Sequence, residues 1–183
     1  MTDWSEIVEQ HGPVVWKTVW RLLKRDADAA DCFQATFLSA WKLSQAEPVR
    51  HWPALLKRLA TARALERLRV RCREADRTSS LPDEVPARRN VVTPIDSASA
   101  GELAEQLREA LAELDDQRLA QVFCLTCLEE LSYREVAEQL GLTVTHVGVL
   151  LNRARSLLRE RLRSHAPPRD ARASEKPEVD HER

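Results

Sequence analysis

Glycine is scarce in this chain. Four residues in 183 leave no glycine-rich loop of the kind that cradles phosphate. Long apolar runs are missing as well: none approaches the roughly 20 residues that a membrane span needs. The opening MTDWSEIVEQ has no basic-then-apolar signal pattern, so the expected location is the cytoplasm. Cysteine does not form a framework. Cys32 and Cys72 stand alone, and Cys124–Cys127 is the single C-x-x-C. Zinc would require two further ligands at suitable spacing, and none lies near. The pair falls at i, i+3 in the apolar run VFCLTCL, where Cys packs as a small hydrophobe. No nucleophile–base pair or metal cluster is visible, so neither enzymatic activity nor a cofactor is expected.

Excess charge is also lacking. The formal net charge is −1, yet that sum hides segregation. Arg50, Lys57, Arg58, Arg63, Arg67, Arg69, Arg71, Arg73 and Arg77 face only Glu66, Glu74 and Asp76 over the same stretch. The balance reverses over residues 102–130. Local fields rather than the total steer binding, so nucleic acid stays open as a partner.

The most informative stretch is 131–162, LSYREVAEQLGLTVTHVGVLLNRARSLLRERL. Ser132 with Glu135 forms a capping box that opens a short helix. Val136, Ala137 and Leu140 give that helix its apolar side. Gly141 stands where a left-handed residue ends a helix at little cost. Thr143 then caps a second helix, with Val147, Leu151, Ala154 and Leu158 facing inward. Its outer face carries Thr145, His146, Asn152, Arg153, Arg155 and Arg159. Short helix, tight turn and a second helix with a polar, basic face is the helix-turn-helix layout, which binds DNA.

The rest reads as helix as well. Residues 3–24 are helix-patterned with an early interruption expected at Gly12-Pro13, after which Val15, Trp16, Val19, Trp20 and Leu23 share a face. Asp26 and Asp28 open the next helix with negative charge at its N-terminus. That helix puts Ala30, Phe33, Phe37, Ala40 and Trp41 on one side and Asp31, Gln34, Ala35 and Leu38 on the flank. A loop around Pro48 leads to a long basic amphipathic helix over 52–73, with Pro53 in its first turn. Its arginine side fits a phosphate backbone, and a membrane surface is the competing reading. Periodicity then disappears over 78–101 (TSSLPDEVPARRNVVTPIDSASAG), which reads as a flexible linker. A helix through Leu103, Leu107, Ala110, Leu111 and Leu114 follows, and Asp115-Asp116 opens the one that leads into the helix-turn-helix. Residues from about 165 have little to bury and are expected to be disordered.

These stretches together resemble the extracytoplasmic-function (ECF) group of the sigma-70 family of RNA polymerase sigma factors. DAADCFQATFLSAWK is similar to that group's region 2.2, D-A-E-D-x-x-Q-E-T-F-L-x-A-W. WPALLKRLATARALERLR is similar to its F-x-x-W-L-x-x-I-A-x-N-x-A-x-D-x-x-R segment. The C-terminal run resembles region 4, including S-Y-x-E-V-A-x-x-L-G and L-x-R-A-R. The resemblance spans residues 10–163 and implies an all-α protein of two small helical domains joined by a flexible linker. Residues 1–77 would bind core polymerase and the −10 element, and 78–101 would be the linker. Residues 102–164 would bind the −35 element, ahead of a disordered tail over 165–183. The implied function is to bind core RNA polymerase, direct it to promoters and assist −10 melting. The alternative is a helix-turn-helix regulator that never joins polymerase.

Site residues follow from the same resemblance. Asp31, Gln34, Ala35 and Leu38 would meet the β′ clamp helices of core polymerase, with Phe37 and Trp41 supporting that helix from inside. Ala35 stands where the family usually has Glu. The −10 contacts would fall to Arg58, Arg63, Arg67 and Arg69. Here Trp52, Leu55, Ala62 and Glu66 replace the usual Phe, Trp, Asn and Asp. Thr145, His146, Val149, Asn152, Arg153 and Arg155 would face the −35 duplex. The family's V-K-S-R-L is replaced by Val147-Gly148-Val149-Leu150-Leu151, which removes two cations from that surface. The implied partners are core RNA polymerase (β′ clamp helices and β flap), promoter DNA and an anti-sigma factor, with no membrane insertion.

Overall fold

Asp3 starts the first helix by accepting hydrogen bonds from the N–H groups of Ser5 (2.9 Å) and Glu6 (3.4 Å). In the computed structural model, which describes residues 3–79 and 95–165, α1 spans Trp4–Leu23 without a break. The interruption expected at Gly12-Pro13 does not occur. Pro13 lies on the solvent side, and the carbonyl it leaves without an N–H belongs to exposed Glu9, where water can serve it. The opposite side, with Val15, Thr18, Val19, Leu22 and Leu23, is buried, and that packing outweighs the local cost. Gly12 backs onto the Phe33 ring, which an added Cβ would meet at 3.7 Å.

Helix α2 (Asp26–Ala46) carries its acids in the first turn, and α3 (Trp52–Ser79) starts where His51 Nδ1 accepts from the N–H of Ala54 at 3.2 Å. Ala60, Ala64 and Leu65 of α3 are fully buried, and the two alanines let α1 and α2 approach the α3 backbone closely. α3 runs past Arg73, and α4 (Ile95–Ala112) begins earlier than expected. The good helix formers Ala98 and Ala100 extend it into what read as linker. The remaining linker expectation, residues 80–94, and the tail expectation for 166–183 lie outside the described residues.

Asp116 caps α5 (Gln117–Phe123) by accepting from the N–H of Arg118 at 2.9 Å. The chain then widens into a π-helical turn, Cys124–Leu128, closed by Glu129 N–H on the Cys124 carbonyl at 2.9 Å. A continuous α-helix was expected here. Turns of this kind re-aim the following residues and recur at functional sites. α6 (Tyr133–Leu140) and α7 (Val144–His165) complete the order. Leu111, Leu119, Val122, Leu125, Val136, Val147, Leu151 and Ala154 form the second half's core. α3 packs on α4, α5, the π turn and α6, so the two halves touch.

Cys124 is buried and Cys127 half-buried. Burial pushes the Cys124 thiol far above its ordinary range, and it raises Cys32 to about 11. These thiols stay protonated at neutral pH, consistent with packing rather than nucleophilic or metal-ligating roles. No cluster of potential metal ligands occurs among the described residues.

Candidate docking and nucleic-acid interfaces

Three surfaces carry the residues singled out in the sequence. The first is an apolar groove between α1 and α2, lined by Trp4, Val8, Phe33, Gln34, Phe37, Leu38 and Trp41. Gln34 is exposed within it, whereas Asp31, exposed, and Ala35, half-buried, are not among its lining residues. Leu38 is 60% exposed and Trp41 46% exposed. Trp41 therefore does not support the helix from inside, as its family position implied. Ala40 takes the inward place at 0% exposure, and the 3.6-residue turn carries position 41 to the rim. Phe37 is buried as expected, 5.0 Å from the Phe33 ring between centroids. Trp4 and Val8 come from α1 and were not singled out in the sequence. Trp4 is held edge-on against Trp52 at 5.3 Å, which fixes one wall of the groove. Exposed apolar side chains beside a polar rim have the anatomy of a protein interface.

The second surface is the basic side of α3, and its four candidate arginines do not converge. Arg63 is exposed and bonds Glu66 (3.3 Å) and Ser39 (3.2 Å). Arg67 donates from Nε to buried Asp28 at 2.8 Å, and Arg71 and Arg25 stand 3.9 and 4.0 Å from the same carboxylate. Arg71 also donates to the Leu23 carbonyl. Arg69 reaches the carbonyls of Ala112 and Leu114 at 3.4 and 3.2 Å. Arg58 is half-buried with a buried Nε that lacks a protein partner, and desolvation lowers its pKa from the ordinary arginine value. Much of the basic run thus fastens helices together. That division of labour is invisible in a charge count.

The third surface is the helix-turn-helix, and here local expectations and structure coincide. Ser132 Oγ accepts from Glu135 N–H at 3.3 Å, and the Glu135 carboxylate accepts from Ser132 N–H at 2.8 Å. The Ser132 hydroxyl also donates to the Glu135 carboxylate at 2.6 Å, and that bond together with the one from Ser132 N–H holds the Glu135 carboxyl below the usual range. Gly141 has φ 64° and Thr143 Oγ1 accepts from His146 N–H at 3.2 Å. Thr145, His146, Val149, Asn152 and Arg153 are exposed together on α7. Arg155 is not with them: half-buried, it donates to Cys127 Sγ at 3.5 Å. Val149 is 59% exposed, so the face is apolar at its centre; of the two positions that lack the family's cations, Gly148 lies beside it and Leu150 is buried.

Gly148 has no structural need to be glycine. A Cβ there would meet only Tyr133 Cε2, at 3.8 Å, an ordinary contact. Gly148→Ala is therefore expected to stabilise the helix by about 1 kcal/mol. A thermal melt raised by a few degrees checks it, and a lower melting temperature would show that glycine is required.

Fold and surfaces together define a helix-turn-helix protein with a separate apolar docking face. Two family models match it: Sigma-70 region 2 over residues 7–74, and Sigma-70, region 4 over residues 104–158. The ECF RNA polymerase sigma factor SigE of Mycolicibacterium smegmatis is 32% identical over 170 residues, covering 91% of this chain and 64% of that protein. The chain thus spans under two thirds of that relative's length. The ECF RNA polymerase sigma factor SigW of Bacillus subtilis is 25% identical over 87% of this chain and 88% of its own. Two solved folds are similar. The sigma factor RpoE, in complex with the anti-sigma factor NepR from Bartonella quintana, has TM-score 0.53 at 20% identity over 91% of this chain and 100% of its own. CnrH, in complex with the cytosolic domain of CnrY, has TM-score 0.55 at 24% identity over 89% of each chain. The chain belongs to the sigma-70 family of RNA polymerase sigma factors, in its ECF group.

Proposed function

We propose that this chain is a transcription initiation factor that binds core RNA polymerase, brings it to promoters and assists opening at the −10 element. The observation that carries this is one chain holding both an apolar docking groove on α1 and α2 and a helix-turn-helix with an open outer face. A DNA-binding regulator needs only the second. Residues 1–77 serve polymerase and the −10 element, and 102–164 serve the −35 element. In this reading Asp31, Gln34, Ala35 and Leu38, joined by Trp4, Val8 and Trp41, meet the β′ clamp helices. The second half meets the β flap. Polymerase supplies the chemistry, and the chain itself supplies recognition and needs no cofactor. No helix among the described residues is long and apolar enough to cross a membrane. The place of action is that of its polymerase, the cytoplasm. The surfaces that bind polymerase are also those an anti-sigma factor would occlude.

On the −35 side, Thr145, His146, Val149 and Asn152 offer base-edge contacts, with Val149 against a thymine methyl. Arg153 holds phosphate, and Arg155 orders the helix through Cys127. Restoring one of the missing cations by Gly148→Lys, where an added Cβ makes only an ordinary contact, is expected to add a phosphate contact. The plot of log affinity against log salt should then steepen by about 0.9, as measured by titration of duplex DNA at several salt concentrations. An unchanged slope would show that this position does not approach phosphate.

The defining experiment mixes the purified chain with bacterial core RNA polymerase and follows promoter opening on the same sample with a fluorescent base at the −10 element. Binding and opening are expected together. DNA binding by the free chain with no polymerase association would instead favour the helix-turn-helix regulator.

A further inference from the structure

The outer face of α1 carries an aromatic stripe that lies outside the lining of the apolar groove. Trp16 is 38% exposed. Its indole is nearly parallel to that of half-buried Trp20 one turn on, tilted by 8° with centroids 6.3 Å apart. Phe33 of α2 meets Trp16 edge-on at 6.0 Å. The Trp16 ring is thus held from two sides while more than a third of the residue stays open. α1 ends at Lys24, whose backbone is left-handed (φ 53°) and whose Nζ stands 5.8 Å from the Trp20 ring centroid. Lysine takes that conformation at a cost that glycine would not incur.

Cations collect at the same end. Lys17 is exposed next to Trp16. Arg71 of α3 reaches the Leu23 carbonyl at 2.9 Å and, with Arg67, balances the buried Asp28 carboxylate. That leaves Arg25 largely to solvent, 64% exposed and 4.0 Å from Asp28, with Asp26 as the exposed acid beside it. Arg21, on the flank, is spent on Glu129 of the second half at 3.3 Å. Lys17, Lys24 and Arg25 therefore remain for an anionic partner. Flat aromatic faces interleaved with exposed cations suit an unpaired nucleic-acid strand, whose bases stack while its phosphates meet the charges. An acidic protein surface would answer the cations and leave the parallel indoles without a matching face. The basic side of α3, by contrast, commits Arg67, Arg69 and Arg71 to protein atoms, so a strand opened there is short of contacts. We propose that the Trp16–Trp20 stripe of α1, with Lys17, Lys24 and Arg25, binds single-stranded DNA and stacks an unpaired base on Trp16. The inference rests on the initiation-factor reading only for the origin of that strand, the opened promoter.

Anisotropy of a short fluorescein-labelled single strand of mixed sequence, titrated with the full chain at several salt concentrations, tests it beside an abasic strand of equal length. Trp16→Ala is expected to weaken binding of the base-bearing strand about tenfold, the worth of one stacked base. The same variant should bind the abasic strand as the parent does, which also shows that it is folded. Trp16→Phe keeps a flat ring and should recover most of the loss. Lys24→Gln should flatten the plot of log affinity against log salt by about 0.7. Equal losses on both strands with no recovery by Trp16→Phe, or no loss on either, would overturn the assignment. So would a Trp16→Ala chain that binds the strand normally and core polymerase weakly, since the stripe would then be a protein contact. The oligonucleotide titrations need no polymerase. A parent chain that fails to join polymerase therefore defeats the initiation-factor reading, while the single-strand site stands or falls on its own result.

Discussion

Replacing Leu38 with aspartate should weaken binding to core RNA polymerase at least about 100-fold while moving the melting temperature by no more than about 2 °C. Both halves of that expectation come from the position of the side chain. Leu38 is 60% exposed on α2, so the folded chain gives up little when it is replaced. The loss is confined to helix propensity, about 0.5 kcal/mol. The same side chain lines the groove with Gln34 and Trp41, and in the proposed complex it would be covered by the clamp helices. An aspartate there must be desolvated without a cation opposite it, and central apolar anchors of interfaces cost about 2 kcal/mol or more when lost. With about 1.4 kcal/mol per tenfold in affinity, the two contributions reach about 100-fold. Labelled core polymerase titrated with parent and variant gives the affinity, and circular dichroism gives the melt. Equal affinities would remove the groove from the polymerase interface.

That groove also shows where sequence reading stops. Asp31, Gln34 and Leu38 share one helical flank, so spacing alone brought them together. Trp4 and Val8 join them from α1, some 30 residues away, and nothing in the pattern of either helix announces the pairing. The exposed rank of Trp41 was hidden because it follows Phe37 by four residues, which resembles an inward repeat until Ala40 takes the buried place. By contrast, the helix-turn-helix was readable to its hydrogen bonds. Ser132–Glu135, Gly141 and Thr143 act on backbone within three residues of themselves, and such local chemistry is written in order. The continuous α1 through Pro13 and the widening after Phe123 went unread for the opposite reason. Each is decided by tertiary burial that overrides a local preference. The contact between the halves through Glu129 is more remote still, because a glutamate beside Glu130 and Leu131 reads as surface.

The arginines of α3 lead to the second large effect, which falls on stability. Arg67→Ala should destabilise the chain by about 2 kcal/mol, a drop in melting temperature of about 4–8 °C for a chain of this size. Asp28 is 5% exposed, and Arg67 makes the hydrogen bond to its Oδ1. Removing one partner of a buried ion pair costs about 3–5 kcal/mol, because the remaining charge stays desolvated. The value here is smaller for two reasons. The Arg67 side chain is itself 40% exposed, so part of its interaction is screened by water. Arg71 and Arg25 remain near 4 Å and partly neutralise the carboxylate. Arg67→Lys should recover part of the loss, since it keeps the charge without the directed Nε–H bond. The same position was assigned to −10 DNA by family resemblance, and the two roles separate cleanly. A structural role lowers the melt and leaves DNA affinity of the folded polymerase complex at 20 °C nearly unchanged. An unchanged melt with weakened −10 binding would return Arg67 to the DNA surface, and would mean that Arg71 and Arg25 suffice to hold Asp28.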